Sequence, residues 1–348
     1  MTLILGIETS CDETAAAVVE DGRAVRSNII ASQHDLHKRY GGVVPEIAGR
    51  AHIEKITPVI DQALTTAGVT IQQISAVAVG NRPGLIGSLL IGVSAAKAIT
   101  WSTDKPLIGV DHVHAHLYAA ALDQPDWSAY PAIGLVVSGG HSNLYRVDSP
   151  LKTHRLGHTI DDAVGEAYDK AAVILDAGYP GGPMLDKLAQ QGDPKQFKLP
   201  RSLLDADSLD FSYSGLKTAL LYAVRGKPQG RRGQTTFERS AADLSDQDRQ
   251  NFAAAFQHAA IDTLIIKLQR AIDRVKPASV IIGGGVSANS LLRSRSAELA
   301  DKNSIPVHIP KMAYCMDNAA MIAGLAHHHF QANQFDDLDL PAIATTSL

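Results

Sequence analysis

The fold is decided by the stretch LILGIETSCDETAAAVV, residues 3–19. The apolar residues 3–7 predict a strand, a polar turn follows over residues 8–13, and residues 14–19 predict a returning strand. The dipeptide Asp21-Gly22 is a hairpin signal that precedes a third predicted strand at 24–31. The sequence therefore predicts strand hairpins whose first turn is strongly polar.

Strand–helix units follow the hairpins, and the second half of the chain repeats the same plan. In the first half we expect helices over residues 44–66 and 84–99 and strands at 76–79 and 107–110. In the second half we expect strands at 132–137, 142–147, 279–282 and 307–309, and helices at 161–175, 287–299 and 317–327. Two such halves predict an α/β fold with two related lobes.

The length of 348 residues suits about two domains. We expect an N-terminal lobe over residues 1–130, a C-terminal lobe over 131–330 and an exposed tail over 331–348. Residues 192–248 are rich in Pro, Gly, Arg and Lys and have no clear period, so they predict an insertion or a surface lobe.

The composition is that of a soluble globular protein, with 45% apolar and 20% charged residues. The formal net charge of -4 excludes recognition of nucleic acid by global charge, so RNA would need a local basic patch. The candidate patch lies in the insertion; taken alone, a solvated loop is the better interpretation. It consists of Lys195, Lys198, Arg201, Arg225, Lys227, Arg231, Arg232 and Arg239.

Two cysteines lie far apart, at Cys11 and Cys315, which excludes a disulfide framework and suits a reducing cytosol. No leader pattern and no run of about 18 apolar residues occurs. We therefore expect a cytoplasmic protein without a membrane segment.

Three polar turns interrupt apolar strands and are candidate phosphate cradles: residues 8–14 and two glycine-rich turns. Residues 138–141 (SGGH) lie between two predicted strands, and residues 283–289 (GGGVSAN) follow a strand and begin a helix. Glycines let backbone amides approach an anion, and a helix N-terminus attracts negative charge. The alternative for each is an ordinary tight turn.

The histidines His112 and His116 are four residues apart at the start of a predicted helix, a spacing that zinc sites use. A third ligand, typically a carboxylate, must come from elsewhere. Zinc peptidases need HExxH with Glu as the general base, and position 113 is Val, which argues against a peptidase. The run 327–329 (HHH) at a helix end is interpreted as structural. Asp12 and Glu13 either act on a metal or a substrate, or are merely solvated.

Taken together, these motifs resemble the tRNA threonylcarbamoyladenosine synthase family (TsaD), once called O-sialoglycoprotein endopeptidase, in its bacterial type. The resemblance extends over about residues 3–330. It rests on GIETSCDET (6–14), YGGVVPE (40–46), PGL (83–85), HVHAH (112–116), VSGGHS (137–142), YPGGP (179–183), FSYSGLKT (211–218), GGGVSAN (283–289) and MDNA (316–319).

The resemblance implies a fold of the sugar kinase–Hsp70–actin type, with a nucleotide and metal cleft between two lobes. It implies metal ligands at His112, His116 and Asp317 and residues important for activity at Asp12 and Glu13. It also implies contacts to a nucleotide-like substrate from Val137, Ser138, Gly139, Gly140, His141, Asp169, Gly182, Asp186 and Asn289.

The implied reaction transfers the threonylcarbamoyl group from threonylcarbamoyl-AMP to the N6 amine of the adenosine adjacent to the anticodon (position 37) in tRNAs that read ANN codons. AMP is released. One divalent metal ion is implied, Fe²⁺ favoured and Zn²⁺ compatible. The implied partners are tRNA, a paralogous subunit of the same fold (TsaB-like) and a small ATPase (TsaE-like).

Three alternatives stay open at this point. A small-molecule kinase of the same fold explains the glycine-rich turns but not the histidine pair. A metallopeptidase explains the histidine pair but not those turns. A scaffold subunit would bind nucleotide without turnover.

Overall fold

The computed structural model describes residues 1–203, 205–230 and 236–345. The chain divides into two compact units. The first contains Met1–Ser128, Ser149–Lys152 and Pro310–Leu348, and the second contains Ala129–Asp148 and Thr153–Ile309. The sequence placed residues up to 330 in the second lobe. In the structure the last helix belongs to the first unit, because its apolar side chains pack on the first sheet.

The first unit is built on a five-stranded sheet in the order β3-β2-β1-β4-β5. Strands β1–β3 are antiparallel neighbours, whereas β4 and β5 continue the sheet in parallel with β1. The strands are β1 (Leu3–Glu8), β2 (Glu13–Glu20), β3 (Ala24–Ser32), β4 (Ala76–Arg82) and β5 (Leu107–Asp111). The helices are α1 (His34–Lys38), α2 (Pro45–Ala67), α3 (Ile86–Thr103), α4 (His112–Tyr118) and α10 (Ala319–Gln331).

Helices cover both faces of this sheet, so β1 and most of β2 are buried on both sides. Because side chains alternate along a strand, Ile4 enters the cluster that contains α10. Its neighbours Leu3, Leu5 and Ile7 enter clusters on the opposite side. A continuous apolar run is the pattern of such a doubly covered strand.

The second unit repeats the first sheet. Its strands are β6 (Ala132–Val137), β7 (Ser142–Ser149), β8 (Lys152–Gly157), β9 (Ser279–Gly283) and β10 (Val307–His308), in the order β8-β7-β6-β9-β10. Its helices are α5 (Val164–Leu175), α6 (Gly181–Ala189), α7 (Ser214–Arg225), α8 (Asp246–Val275) and α9 (Ser290–Asn303). Strand β6 is antiparallel to β7 and parallel to β9, as β1 is to β2 and β4. The duplicated plan predicted from the sequence is therefore present.

Part of the predicted insertion belongs to the core of the second unit. Helix α7 buries Leu216, Leu220 and Val224, which lie four residues apart on one face. Its start is held by Asp161, whose carboxylate accepts hydrogen bonds from the backbone N–H groups of Tyr213 and Ser214. Arg231 and Arg232 of the basic patch lie outside the described residues.

The tail is exposed over most of its described length, but not throughout. Leu340 is buried and packs with Ile7 and Val77. The Asp336 carboxylate accepts a hydrogen bond from the Gly109 backbone N–H at 2.7 Å. The tail thus pairs with the β5 side of the first sheet.

Within the part of the chain that the structure describes, no helix is long and apolar enough to cross a membrane.

Gly6 sets how closely α10 packs on β1. A Cβ atom at this position would lie 2.4 Å from the Ala319 carbonyl oxygen and 2.9 Å from the Ala323 backbone nitrogen. We expect Gly6→Ala to lower the free energy of unfolding by about 1–3 kcal/mol, because a backbone clash must be relieved by moving a helix. Urea denaturation measures the change.

Gly87→Ala is the matched control, since an added Cβ at Gly87 meets no atom within 4 Å. It lies inside α3, where Ala is favoured over Gly by about 0.5–1 kcal/mol. Equal stability of the two variants would contradict the close packing of α10 on β1.

Candidate functional site

Asp111 positions the histidine pair. It ends β5, and its carboxylate accepts hydrogen bonds from the backbone N–H groups of Val113 (2.9 Å) and His114 (3.1 Å). This side chain caps the N-terminus of α4, so the helix begins at His112. His112 and His116 therefore lie on one face, both buried, with ring centroids 4.6 Å apart.

Asp317 joins the two histidines in the first unit. Its Oδ1 lies 3.1 Å from His116 Nε2 and 3.6 Å from His112 Nε2. The residue precedes α10, which begins at Ala319 behind the N-cap Asn318, whereas the sequence predicted a helix from residue 317. Because Asp317 lies before the first residue of α10, its carboxylate can point toward α4.

These three side chains can hold a metal ion. Their ligand atoms all lie within 4.8 Å of one another. A tetrahedral ion with bonds of roughly 2.1 Å separates its ligands by about 3.4 Å, close to the two distances measured. His116 Nε2 is buried and lies 3.1 Å from Asp317 Oδ1. An ion between the two atoms satisfies both.

Glu8 orients the first histidine, a role that the sequence analysis did not assign. Its Oε2 lies 3.0 Å from His112 Nδ1, and Ser10 Oγ lies 3.1 Å from the same nitrogen. When Nδ1–H donates to the carboxylate, Nε2 keeps its lone pair for a metal. This is the carboxylate–histidine–metal arrangement of many metal sites. The sequence feature that could have indicated this role is a glutamate at the end of an apolar strand, β1.

The two histidines differ in their protonation. Burial disfavours the charged form of His112, but the carboxylates of Glu8 and Asp317 outweigh it and raise its pKa to about 9. Burial lowers the pKa of His116, although Asp317 opposes that change. In the metal-free protein at neutral pH, His112 is therefore charged and His116 is neutral.

Asp12 is the last residue of the turn between β1 and β2, Glu13 is the first residue of β2, and both are buried rather than solvated. Burial, the Asp317 carboxylate and Asp12 raise the pKa of Glu13 to about 10. Burial and Asp12 also raise the pKa of the Cys11 thiol. His34 faces the same turn, with its Nε2 3.4 Å from Glu13 Oε1 and 3.9 Å from Asp12 Oδ2.

In the second unit, the turn at 138–141 closes on itself. The Ser138 backbone N–H donates to the His141 carbonyl at 2.8 Å, and the His141 N–H donates to Ser138 Oγ at 3.2 Å. Gly139 and Gly140 are exposed, and nothing lies within 4 Å of the position that a Cβ would take. The turn therefore presents open backbone in the way a phosphate cradle does.

Gly284 brings the other glycine-rich turn against Val137. Its φ is 91°, and an added Cβ would lie 2.3 Å from the Val137 carbonyl oxygen. Only glycine combines that backbone conformation with so close an approach. The two turns are thus adjacent within the second unit.

The remaining predicted contacts fall into two groups. Asp186 accepts from Gln257 Nε2 (2.9 Å) and Ser290 Oγ (2.7 Å), and Asn289 Nδ2 donates to Gln257 Oε1 at 2.9 Å. Buried Gln257, which the sequence analysis missed because it lies inside a long helix, therefore joins Asp186 to Asn289. Separately, Asp169 Oδ1 accepts from the Gly181 N–H at 3.1 Å, next to Gly182.

Known relatives match almost the whole chain. The family model described as tRNA N6-adenosine threonylcarbamoyltransferase (TsaD) matches residues 24–324. A protein of that name from Trichlorobacter lovleyi is 48% identical over 346 residues, covering 99% of this chain and 97% of the relative. Another, from Symbiobacterium thermophilum, is 48% identical over 342 residues, covering 98% and 95%.

Solved structures with low identity show the fold alone. HypF of T. kodakarensis has a TM-score of 0.62 at 14% identity, over 97% of this chain and 49% of that protein. The ROK hexokinase of Thermus thermophilus has a TM-score of 0.51 at 15% identity, over 96% and 99%. The fold expected from the sequence, of the sugar kinase–Hsp70–actin type, is confirmed.

The Glu8 contact predicts a loss of metal affinity. Glu8→Gln keeps the size of the side chain but removes the charge that orients and polarises His112. We expect metal affinity to fall about 10- to 100-fold, as for other carboxylates behind a metal-binding histidine. Competition with a fluorescent chelator measures it. Glu54→Gln, an exposed position on α2, is the control, and equal affinity of both variants would contradict the role of Glu8.

The raised pKa of His112 predicts proton release on metal binding. Below about pH 9 the metal-free histidine is charged, whereas a ligating histidine is neutral. Binding of one equivalent of Zn²⁺ near pH 7.5 should thus release about one proton from this group, and the release should fall as the pH rises above 9. Calorimetry in buffers of different ionisation enthalpy measures the protons, and a release that does not decline with pH would be contrary to this assignment.

Proposed function

This chain belongs to the tRNA N6-adenosine threonylcarbamoyltransferase family, and on that premise we propose how its residues carry out the reaction. The enzyme transfers a threonylcarbamoyl group from threonylcarbamoyl-AMP to the N6 amine of the adenosine adjacent to the anticodon (position 37) in tRNAs that read ANN codons. AMP is the leaving group. The observation that carries the assignment of residues is the cluster His112, His116 and Asp317, with Glu8 behind it.

We assign one divalent metal ion to this cluster, Fe²⁺ in preference to Zn²⁺, since two imidazoles and one carboxylate suit both. Such an ion, when bound, polarises the carbamoyl carbonyl as a Lewis acid and so favours attack by a weakly nucleophilic amine. Glu8 keeps Nε2 of His112 available, and the Asp111 cap fixes the helix that carries both histidines.

Asp12 and Glu13 are the proposed catalytic residues. As the new C–N bond forms, the N6 amine must lose a proton, and the C–O bond to the AMP phosphate breaks with its electron pair. The carboxyl pair lies in one buried turn beside the metal ligands of the first unit, where Asp317 acts on Glu13 electrostatically. Without a bound cation, Glu13 keeps its own proton at neutral pH and shares it with Asp12 in a hydrogen bond, so the oxygens of the pair that hold no proton are the acceptors. We assign the amine proton to this pair.

The second unit supplies the proposed contacts to the adenylate. The proposed contacts include the turn of Val137, Ser138, Gly139, Gly140 and His141. Because the N–H groups of Ser138 and His141 bond within the turn, those of Gly139 and Gly140 are the ones assigned to the phosphate. Gly165, in the first turn of α5, donates its N–H to the Ser138 carbonyl at 3.2 Å, so the turn is fixed to a helix N-terminus. Asp169, Gly182, Asp186 and Asn289 are the proposed contacts to the nucleoside.

The tRNA is the substrate, and its phosphates are proposed to meet exposed cations. Lys195, Lys198 and Lys227 are exposed. Arg201, by contrast, donates two hydrogen bonds, from Nε and Nη2, to Oδ2 of Asp262, which makes it the weaker candidate. A paralogous subunit (TsaB-like) and a small ATPase (TsaE-like) are the proposed protein partners.

Cys11 and Cys315 do not form a disulfide, which supports the cytoplasm as the proposed location.

The alternative functions are not favoured. The relatives carry the transferase name, and a kinase explains neither the histidine pair nor Asp317. For a peptidase, position 113 would have to provide a general base, and it is a buried valine.

A transfer assay with matched histidine variants tests the proposal. The purified chain and its partner subunits receive threonylcarbamoyl-AMP and unmodified tRNA, and mass spectrometry detects the modified nucleoside. We expect His116→Ala to lower transfer at least about 100-fold through loss of a metal ligand. His114→Ala changes the same residue type on the same helix outside the ligand group and should act nearly as the wild type.

A chelator should abolish the product, and added Fe²⁺ or Zn²⁺ should restore it. Undiminished transfer by His116→Ala would remove the metal from the mechanism. Phosphorylation of a small molecule from ATP, with no modified nucleoside, would favour the kinase instead.

A further inference from the structure

We propose that Asp12, Glu13 and His34 bind a second divalent cation in the first unit, separate from the cluster of His112, His116 and Asp317. The ligand set of two carboxylates and one imidazole suits Mn²⁺, Fe²⁺ or Zn²⁺. This inference deepens the proposed function, because it assigns a cation to one oxygen of each carboxylate given the catalytic role, Asp12 Oδ2 and Glu13 Oε1, and leaves the other oxygen of each for the amine proton. Its test is therefore chosen to stand apart from the transfer assay.

The distances in this second cluster are close to those in the first, although each is slightly longer. His34 Nε2 lies 3.4 Å from Glu13 Oε1 and 3.9 Å from Asp12 Oδ2. The corresponding distances around Asp317 are 3.1 and 3.6 Å. All three ligand atoms lie within 4.8 Å of one another. Both clusters thus have the ligand spacing of a small divalent ion.

The backbone fixes this arrangement before any ion arrives. Glu13 is paired with Ser32 in the register between β2 and β3. The next residue, Gln33, donates its backbone N–H to the Asp12 carbonyl at 3.1 Å. His34 then begins α1, and Ser32 Oγ accepts its backbone N–H at 3.3 Å. Adjacent strands therefore place the imidazole over the two carboxylates, as a preorganised site requires.

Gln33 is held in turn by a buried network. Its side-chain oxygen lies 3.2 Å from His37 Nε2, and its amide nitrogen lies 3.4 Å from the Ala48 carbonyl. His52 Nε2 contacts the Cys11 carbonyl at 2.9 Å, and its Nδ1 contacts Thr14 Oγ1 at 2.8 Å. These hydrogen bonds fix the backbone on both sides of Asp12 and Glu13. They also fix Gln33, the residue before His34, so that the His34 side chain lies next to the two carboxylates.

The charge balance of the first unit favours a second cation. Glu8, Asp12 and Glu13 are buried and Asp317 is largely so, and the ion pairs given for these carboxylates are with histidines. Burying a carboxylate is unfavourable unless a cation or a proton compensates it. One divalent ion compensates two of the four, and a second one at Asp12 and Glu13 compensates the others. The alternative is that protons alone, on Glu13 or His34, supply the compensation.

Counting bound Mn²⁺ separates these alternatives. The full chain is stripped with a chelator and titrated with Mn²⁺ alone, and free Mn²⁺ is read by electron paramagnetic resonance. We expect about two Mn²⁺ per wild-type chain and about one per His34→Gln chain, since loss of one of three ligands weakens such a site at least about 10-fold. His116→Ala should likewise bind about one, at the other cluster.

His154→Gln is the matched control, because this exposed histidine also contacts a carboxylate, Asp148, in an ordinary surface pair. It should bind as the wild type does. Circular dichroism shows that each variant is folded. One Mn²⁺ per wild-type chain, or identical titrations of His34→Gln and His154→Gln, would overturn the second site.

The number of bound Mn²⁺ ions and the transfer assay test the two proposals independently. Two bound ions without modified nucleoside would preserve the second site and reject the proposed function. One bound ion with full transfer activity would preserve the function and reject the second site.

Discussion

The contact between Glu8 and His112 connects the core of the first unit to its chemistry. Glu8 ends β1, the central strand of its sheet, and is buried with its carboxylate 3.0 Å from the imidazole. A buried carboxylate is tolerated when a partner compensates its charge. The imidazole of His112 supplies that compensation. Because its Nδ1 contacts Glu8, its Nε2 points toward Asp317. The stability of the strand end and the orientation of a metal ligand therefore depend on one interaction.

The helix that carries His112 is positioned by similarly local means. Asp111 is the last residue of β5 and the N-cap of α4 at once. Because the strand passes directly into the helix, the first helical residue already lies at the edge of the sheet. Asp317 reaches the same place from the other end of the sequence, where α10 packs tightly over Gly6. Sheet, cap and glycine together leave little freedom to the three ligands.

The sequence predicted the strands and the histidine pair well because their signals are local. A strand needs only a short apolar run, and the spacing of His112 and His116 puts both on one helical face. Asp317 was assigned only through the family resemblance, since its contact spans about 200 residues of chain. The contacts of Glu8 with His112 and of His34 with the carboxylates were missed for the same reason: each depends on strand pairing that a single sequence does not reveal. Leu340 was hidden in an otherwise acidic, exposed tail.

The two units use one topological position for opposite charges. In each sheet the central strand, β1 or β6, turns back into an antiparallel neighbour. In the first unit that turn ends at Asp12, next to Glu13 at the start of β2, and these two carboxylates attract cations. In the second unit it contains Gly139 and Gly140, whose open backbone attracts anions. The proposed function, which assigns a divalent ion to one unit and an adenylate to the other, needs this divergence, because identical turns would repeat one affinity and lack the other. The divergence requires only side chains within one short turn, so the surrounding strands keep the same order.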